Sequence, residues 1–461
     1  MINGMKSSFF NREDEQRRLQ RFLANKSGGL AVVYGRRRCG KSTLIQHVAG
    51  SGDVYFLADQ REALLQIEAL AREAQRMIPG FAAARYPSWA ALIETLEARA
   101  PVGFNLLLDE FPYLVQASPE LPSLIQHYLD EPGTKKLSIL LCGSSQRMMQ
   151  GLVLDRSAPL YGRATEILRI EPLAAGWIRE GLSVAGDAAI EAFAVWGGVP
   201  RYWELATPFR SLKGALHELV LSKNGVLHEE PDRLLEDEMR SGSQAKSLLS
   251  LIGMGCNRLS EIAGRMGKPA GSLTRPLANL IELGYVRREV PFGEDPKNSK
   301  RTLYRLKDPF LRFYVHFVQP QRSLLEMGIM DAAAETLQKE FSSYVGGHWE
   351  DLARQSVPFL GIGGLRWGLA ARWWGVGTDG VPMEFDVVAE SLDGQAVLIG
   401  EVKWTGERSS PEAVAADLMA RVVRVPFLKG RKVVTALWMR SGKAASGIEV
   451  ITPDQVLDCL R

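Results

Sequence analysis

Four cysteines are few for 461 residues, and Cys39, Cys142, Cys256 and Cys459 show no C-x-x-C spacing. That argues against a zinc site or a disulfide framework and fits a reducing compartment. No apolar run approaches the length of a membrane span, and the opening MINGMKSSFFNREDEQRRLQ lacks an apolar signal core. A cytoplasmic protein with no membrane partner is therefore expected. Charge of one sign is also scarce. The formal net charge of +3 is too small to argue for nucleic acid, which leaves that case to local clusters. Internal repeats, low-complexity tracts and a guanine-reading N-K-x-D motif are all missing. The remainder, 46% apolar and 24% charged, is the composition of folded domains, and the length suggests about three of them.

Against that background one stretch stands out, AVVYGRRRCGKSTLIQHV. Gly35, Gly40, Lys41 and Ser42 occupy the fixed positions of G-x-x-x-x-G-K-[ST]. Arg36, Arg37, Arg38 and Cys39 fill the gap, and Thr43 follows. Residues 30–34 before the loop read as a buried strand, and a helix is expected after it. Glycines let the backbone wrap an anion, and the helix's first N–H groups point at phosphate oxygens. Lys41 is expected on the β- and γ-phosphates of a nucleotide and the Ser42 hydroxyl on Mg2+. The three arginines suit phosphate attraction, and DNA contact is a second option for them.

Nucleotide hydrolysis also needs acid at the end of a second buried strand. FNLLLDEFPYL supplies it, with 104–108 as the strand, Asp109 as magnesium partner and Glu110 as base for the attacking water. The next apolar run, LSILLCGSSQRMM, leaves room for one helix at 123–130. Ser144 and Ser145 at its end suit either a sensor of the γ-phosphate or a helix N-cap. Arg163 follows, leaving a glycine turn before a short strand at 166–170, and is a candidate arginine finger for a neighbouring subunit in a homo-oligomer.

FFNREDEQRRLQRFL, VVYGRRRCGKSTL, LLLDEFPYL, LLCGSS, PLYGRATEILRIEPL and VWGGVPRYW, in that order, resemble the archaeal-type ATPases of the AAA-related P-loop superfamily. The resemblance implies ATP rather than GTP. It places Phe10, Arg12 and Glu13 beside the nucleotide and residues 196–202 in a small helical lid. Independently of it, Gly197, Gly198 and Pro200 mark a break between helical runs, a natural hinge.

Past residue 240 three short helical stretches are expected, at 245–254, 259–266 and 272–283, with Ser260 and Ser272 as N-caps. LGYVRRE, the polar loop FGEDPKNSKR and TLYRLKD then complete a winged helix-turn-helix. Arg275 and Asn279 fall one turn apart on its last helix. Arg287, Arg288, Lys297, Lys300 and Arg301 decorate the wing, so DNA is the expected partner, with packing between domains as the alternative. Phe310, Phe313, Tyr314 and Phe317 recur at helical spacing and are expected in the core.

EFDVVAESLDGQAVLIGEVKWT reads as two strands, 384–389 and 396–402, joined by a turn at Asp393 and Gly394. Period-two geometry puts Glu401 and Lys403 on one face, beside Asp386. Two carboxylates can hold a divalent ion that activates water, while the ammonium of Lys403 steadies charge on a phosphate. Asp386, Glu401 and Lys403 resemble the D…E-x-K set of the PD-(D/E)xK nuclease superfamily, which implies Mg2+ or Mn2+ there and Glu350, on the helix GGHWEDLARQSV, as a further ligand. Phe385 stands where that pattern has proline.

The expected α/β chain thus has a P-loop ATPase core with a parallel sheet (1–172), a helical lid (173–239), a winged helix-turn-helix (240–318) and a restriction-endonuclease-like domain (319–461). The expected function is ATP-dependent action on DNA with a metal-dependent nuclease-like site. The alternative is an ATP-driven regulatory or assembly switch, binding DNA or protein, in which the nuclease fold is inert.

Overall fold

Continuous apolar runs build the three inner strands of the N-terminal sheet, as strands covered on both faces require, while the two edge strands are only partly buried. In the computed structural model, which describes residues 11–133, 135–238, 242–404, 410–428, 430–442 and 447–461, these are β1 (Gly29–Tyr34), β2 (Val54–Leu57), β3 (Phe104–Asp109), β4 (Leu137–Gly143) and β5 (Ala164–Arg169). All pair in parallel, in the order β2-β3-β4-β1-β5. Every residue of β3 and β4 is buried. Because β1 lies beside β4, and β4 beside β3, the carboxyl ends of these three strands open side by side, where α/β sheets bind ligands.

Two helices, Phe111–Ala117 and Leu121–Asp130, connect β3 to β4, where one was expected. Each begins with a proline in its first turn, Pro112 and Pro122, where the missing N–H costs nothing, so the segment starts helix twice. Phe10 lies outside the described residues.

The chain divides after Pro172 into two compact units. In the second, helices Gly186–Trp196 and Pro200–Ala206 are separated by Gly197 and Gly198. A Cβ on Gly198 would lie 1.8 Å from the Leu173 carbonyl, so only glycine fits. The first of these helices is tied to the C-terminal half, since Arg440 donates to Asp187 at 2.7 Å and the Tyr344 hydroxyl to the Ala194 carbonyl at 2.9 Å.

Helices Gly242–Gly253, Leu259–Met266 and Ala270–Glu282 follow, then the antiparallel pair β6 (Val286–Glu289) and β7 (Leu303–Leu306). Neither expected serine is a cap. The N-cap positions belong to Arg258 and Pro269, and Ser272 lies inside the first turn, donating to the Pro269 carbonyl at 2.7 Å. Proline's fixed φ pre-forms that turn two residues earlier than the hydroxyl pattern suggests. Phe310, Phe313, Tyr314 and Phe317 are buried, as expected.

The C-terminal sheet is mixed. It contains β8 (Ala371–Val376), β9 (Pro382–Glu390), β10 (Ala396–Lys403), β11 (Lys432–Met439) and β12 (Glu449–Ile451), in the order β12-β11-β10-β9-β8. Antiparallel β9 and β10 form the expected hairpin, and helix Pro411–Val422 carries the chain across to parallel β11. Leu418 and Val414 of that helix pack with Phe385, Val397 and Ile399 on one face. Helix Asp331–Ser356 packs against β9 and β10, with the Trp349 indole donating to the Trp438 carbonyl at 3.3 Å.

Candidate functional site

The nucleotide site is assembled at the carboxyl ends of β1, β3 and β4. Gly35 has φ +141°, and a Cβ there would stand 2.3 Å from the Ile170 carbonyl. Gly40 has φ +85°, and apart from its chain neighbours no atom of the described residues lies within 4 Å of where its Cβ would stand, which leaves room for an anion. Helix Lys41–Val48 begins at the loop's end. Lys41 is buried, and its Nζ donates to the carbonyls of Gly35 and Arg36 at 2.8 and 2.9 Å. Ser42 and Thr43 occupy the helix's first turn, with their backbone N–H groups at the loop. Arg37 donates to the Tyr113 hydroxyl at 3.0 Å, Arg36 is buried, and Arg38 takes a left-handed φ of 66°.

Cys39 can serve the loop only through its backbone. Its side chain points into the core with Leu19, Leu44 and Leu168, where burial raises its pKa. Arg12 also helps to shape the loop. It has φ 74° and reaches the carbonyls of Cys39 and Glu171, whereas Glu13 is exposed on the first turn of its helix.

Asp109 accepts from the Tyr55 hydroxyl at 2.7 Å through Oδ2 and from the Glu110 N–H at 2.9 Å through Oδ1. Glu110 has φ 52°, a strained value for glutamate, and receives the Ser144 hydroxyl at 2.7 Å and the Ser144 N–H at 3.4 Å. The two serines therefore differ in role. Ser144 orients Glu110, and Ser145 caps helix Gln146–Met149. Arg163 is anchored within its own chain by paired bonds of 2.8 and 2.7 Å to Asp130 and by the Pro159 and Tyr161 carbonyls, so serving a neighbouring subunit would mean breaking that fork.

The candidate DNA-facing residues divide. Arg275 and Asn279 are exposed on one face of the 270–282 helix, and Arg288, Lys297 and Lys300 are exposed around β6 and the loop beyond it. Arg288 donates to Thr302, and Arg301 is held by Glu294 and the Trp374 carbonyl. Arg287 points the other way, a correction to the expected DNA-facing set. It bonds Asp351 at 2.6 Å and Glu289 at 2.7 Å, because strand alternation turns it inward when Arg288 faces out.

The carboxyl end of the hairpin brings the predicted acids together. The β9–β10 ladder ends at Val387 opposite Gly400, one residue short of Asp386 and Glu401. Asp386 accepts from the Val402 N–H at 3.0 Å, and Lys403 donates to Glu401 Oε1 at 2.7 Å. Burial first, then Glu350 and Glu401, push Asp386 up to about 7, and burial likewise raises Glu350. Two residues not anticipated from sequence complete the site. Arg354 donates to the Asp386 carbonyl at 2.8 Å and lies 3.8 Å from Glu350. Arg421 donates to Glu401 Oε2 at 2.7 Å, to Asp417 at 2.8 Å and to the Glu384 carbonyl at 2.9 Å, over the Phe385 ring. Of their partners, those one helical turn away, Glu350 for Arg354 and Asp417 for Arg421, are readable in the sequence.

Lys403 and Arg421 each donate to one oxygen of Glu401, so an ion there would have to share those oxygens with two cations. Among the described residues no group of three or more His, Cys, Asp and Glu side chains is arranged to hold a metal. The expected Glu350, Asp386 and Glu401 ligand set thus shares a field without forming an ion cage.

A raised carboxyl pKa makes folding favour the protonated form, so the stability contributed by Asp386 is full below its ordinary value of 3.8 and lost as pH rises through about 7. Asp386→Asn is expected to raise stability at pH 8 by about 1–3 kcal/mol and to change it little at pH 4. Urea unfolding at the two pH values checks this, and equal effects at both would refute it.

The fold and loop define a P-loop ATPase. Residues 9–204 match the family described as an ATPase domain predominantly from Archaea, and 314–414 match one described as archaeal and bacterial proteins of unknown function. Over 411 residues the chain is 30% identical to the uncharacterized protein MJECL04 of Methanocaldococcus jannaschii, covering 86% of this chain and 87% of that one. The chain belongs to this family of archaeal-type ATPases.

Among solved structures, the Walker-type ATPase PABY2304 of Pyrococcus abyssi is 20% identical with a TM-score of 0.49, over 68% of this chain and 97% of that one. The Aeropyrum pernix ORC2 protein is 16% identical with a TM-score of 0.45, over 71% and 97%. Likeness at this level carries no argument about function. No helix among the described residues is long and apolar enough to cross a membrane.

Proposed function

We propose that the protein couples ATP hydrolysis to action on DNA. Mg2+ would lie between Ser42 and Asp109, and Glu110, steadied by Ser144, would draw the proton from the attacking water. The three helices and the β6–β7 pair act as a winged helix-turn-helix, with Arg275 and Asn279 at the bases and Arg288, Lys297 and Lys300 on phosphates. Asp386, Glu401 and Lys403 form the phosphodiester-cleaving site. The observation that carries the reading is the meeting of half-buried Glu350, Asp386 and Lys403 with buried Glu401, where burial first and then the neighbouring acids raise Asp386 to about 7. Such a cluster costs stability and is characteristic of working sites.

The second reading, an ATP-driven switch with an inert nuclease fold, is favoured by the Arg421–Glu401 pair, which places a fixed guanidinium where an ion would need an oxygen. Mg2+- and Mn2+-dependent cutting of single-stranded DNA, double-stranded DNA and RNA, with and without ATP, separates the two. On the first reading Lys403→Ala and Glu401→Ala lose cutting by about 10²-fold or more while ATP hydrolysis survives. Absence of cutting by both the parent and Arg421→Ala leaves the switch. DNA binding is tested separately by salt titration, where Lys300→Ala is expected to lower the slope of log affinity against log salt by about 1.

A further inference from the structure

β2 is the outermost strand of the N-terminal sheet beside β3, and its register decides what its side chains reach. Tyr55 stands opposite Leu107, and Leu57 opposite Asp109. Period-two alternation turns Leu107 and Asp109 to one face of β3, where Leu107 packs with Leu44 and Ile45 of the helix that follows the phosphate loop. Leu106 and Leu108 turn to the other face, with Phe56. The half-buried Tyr55 ring lies against the first cluster, and its hydroxyl reaches forward along the sheet to Asp109 Oδ2 at 2.7 Å.

Asp109 is buried, with the Tyr55 hydroxyl on Oδ2 and the Glu110 N–H on Oδ1 at 2.9 Å. Neither donor carries charge, and among the described residues no Lys, Arg or His forms an ion pair with this carboxylate. A buried carboxylate met only by neutral donors is costly until a cation joins it. Each oxygen can accept a second bond, so both keep capacity for an ion or its waters, and the oxygen donor set fits Mg2+. Held from the neighbouring strand on one side and from the next residue's backbone on the other, the carboxylate cannot turn about its Cβ–Cγ bond without breaking one of the two contacts.

We propose that Tyr55 is a positioning residue for the ATPase: its hydroxyl keeps the Asp109 carboxylate in the orientation that receives Mg2+ with the nucleotide, and so sets how much Mg2+ the enzyme needs. This rests on Mg2+ lying between Ser42 and Asp109. Partners that orient a metal-binding carboxylate are worth about 10–100-fold in metal affinity or activity. A phenol suits the task, because a ring packed on the strand behind delivers its donor at a fixed length and height. If the bond served only to satisfy a half-buried hydroxyl, its removal would leave the Mg2+ requirement where it was.

The test uses the full chain carrying Glu110→Gln, which slows hydrolysis and keeps the backbone N–H on Asp109, so that ATP affinity is read directly, once in EDTA and once in excess Mg2+. Tyr55→Phe, which keeps the ring, is expected to leave the affinity in EDTA within about twofold and to cut the gain in affinity from Mg2+ by about tenfold. With Glu110 restored, the Mg2+ concentration for half-maximal ATP hydrolysis should rise by about the same factor in Tyr55→Phe. Asp109→Ala is the reference and is expected to lose most of the gain from Mg2+. A parental gain in Tyr55→Phe beside a lost gain in Asp109→Ala overturns the proposal and leaves the metal site standing, whereas an unchanged gain in Asp109→Ala overturns both. Equal weakening of Tyr55→Phe in EDTA and in Mg2+ would make Tyr55 a packing residue and also overturn the proposal.

Discussion

Lys41→Ala is expected to lower ATP turnover by about 10²–10³-fold, the loss that follows removal of one preorganised donor to developing phosphate charge. The side chain is buried and directed by two carbonyls of its own loop, at 2.8 and 2.9 Å, so the ammonium stands fixed where the loop curls. Alanine removes the charge and also leaves those carbonyls without their donor, so nucleotide affinity falls together with turnover. Glu110→Gln separates the two effects. Glutamine keeps the shape and still accepts from the Ser144 hydroxyl, so ATP binding is retained, whereas hydrolysis slows by about 10²–10⁴-fold for want of a base. Filter binding of ATP beside phosphate release measures both. Parental turnover in Lys41→Ala would remove the nucleotide site from where the loop puts it.

Asp351→Ala is expected to cost about 3–5 kcal/mol of stability, the penalty for breaking a buried ionic network from one side. Asp351 is buried among Arg287, Arg354 and Arg312, at 2.6, 2.5 and 3.4 Å, and its loss leaves three guanidinium groups without their shared acid. Burial works to raise its pKa, but the arginines win and hold it well below the usual carboxylate range. A depressed folded pKa gives stability that is complete above the unfolded value and lost as pH falls. The gap between parent and Asp351→Ala should therefore hold from neutral pH down to about pH 4 and narrow only in stronger acid. Arg287→Met is expected to cost less, because Asp351 keeps two partners. Urea unfolding from pH 7 to pH 3 checks the series, and a neutral Asp351→Ala would show the network to be ornamental.

The acid cluster shows how far sequence reading reaches. Asp386, Glu401 and Lys403 were legible because strand alternation and a hairpin turn are local rules, and the ladder from Val387 opposite Gly400 obeys them. Arg421 was not, since it reaches Glu401 from a helix packed across the sheet, and no spacing along the chain encodes that approach. Arg287 and Arg288 make the same point. As neighbours on β6 they look alike in the sequence, yet one is half-buried against Asp351 and the other faces out. The cap expected at Ser272 failed for a different reason, because a proline's fixed φ outcompeted a hydroxyl for the helix start.

By itself the sequence determined the anion-binding turn, the acidic strand end and the strands behind them, because each depends on residue type at short, fixed separation. Tertiary structure alone decided which charges meet. It parked Lys41 on its loop, gave Ser144 to Glu110, and set Arg421 on Glu401 and three arginines on Asp351. Electrostatic partnership falls off with distance in space and is indifferent to distance along the chain.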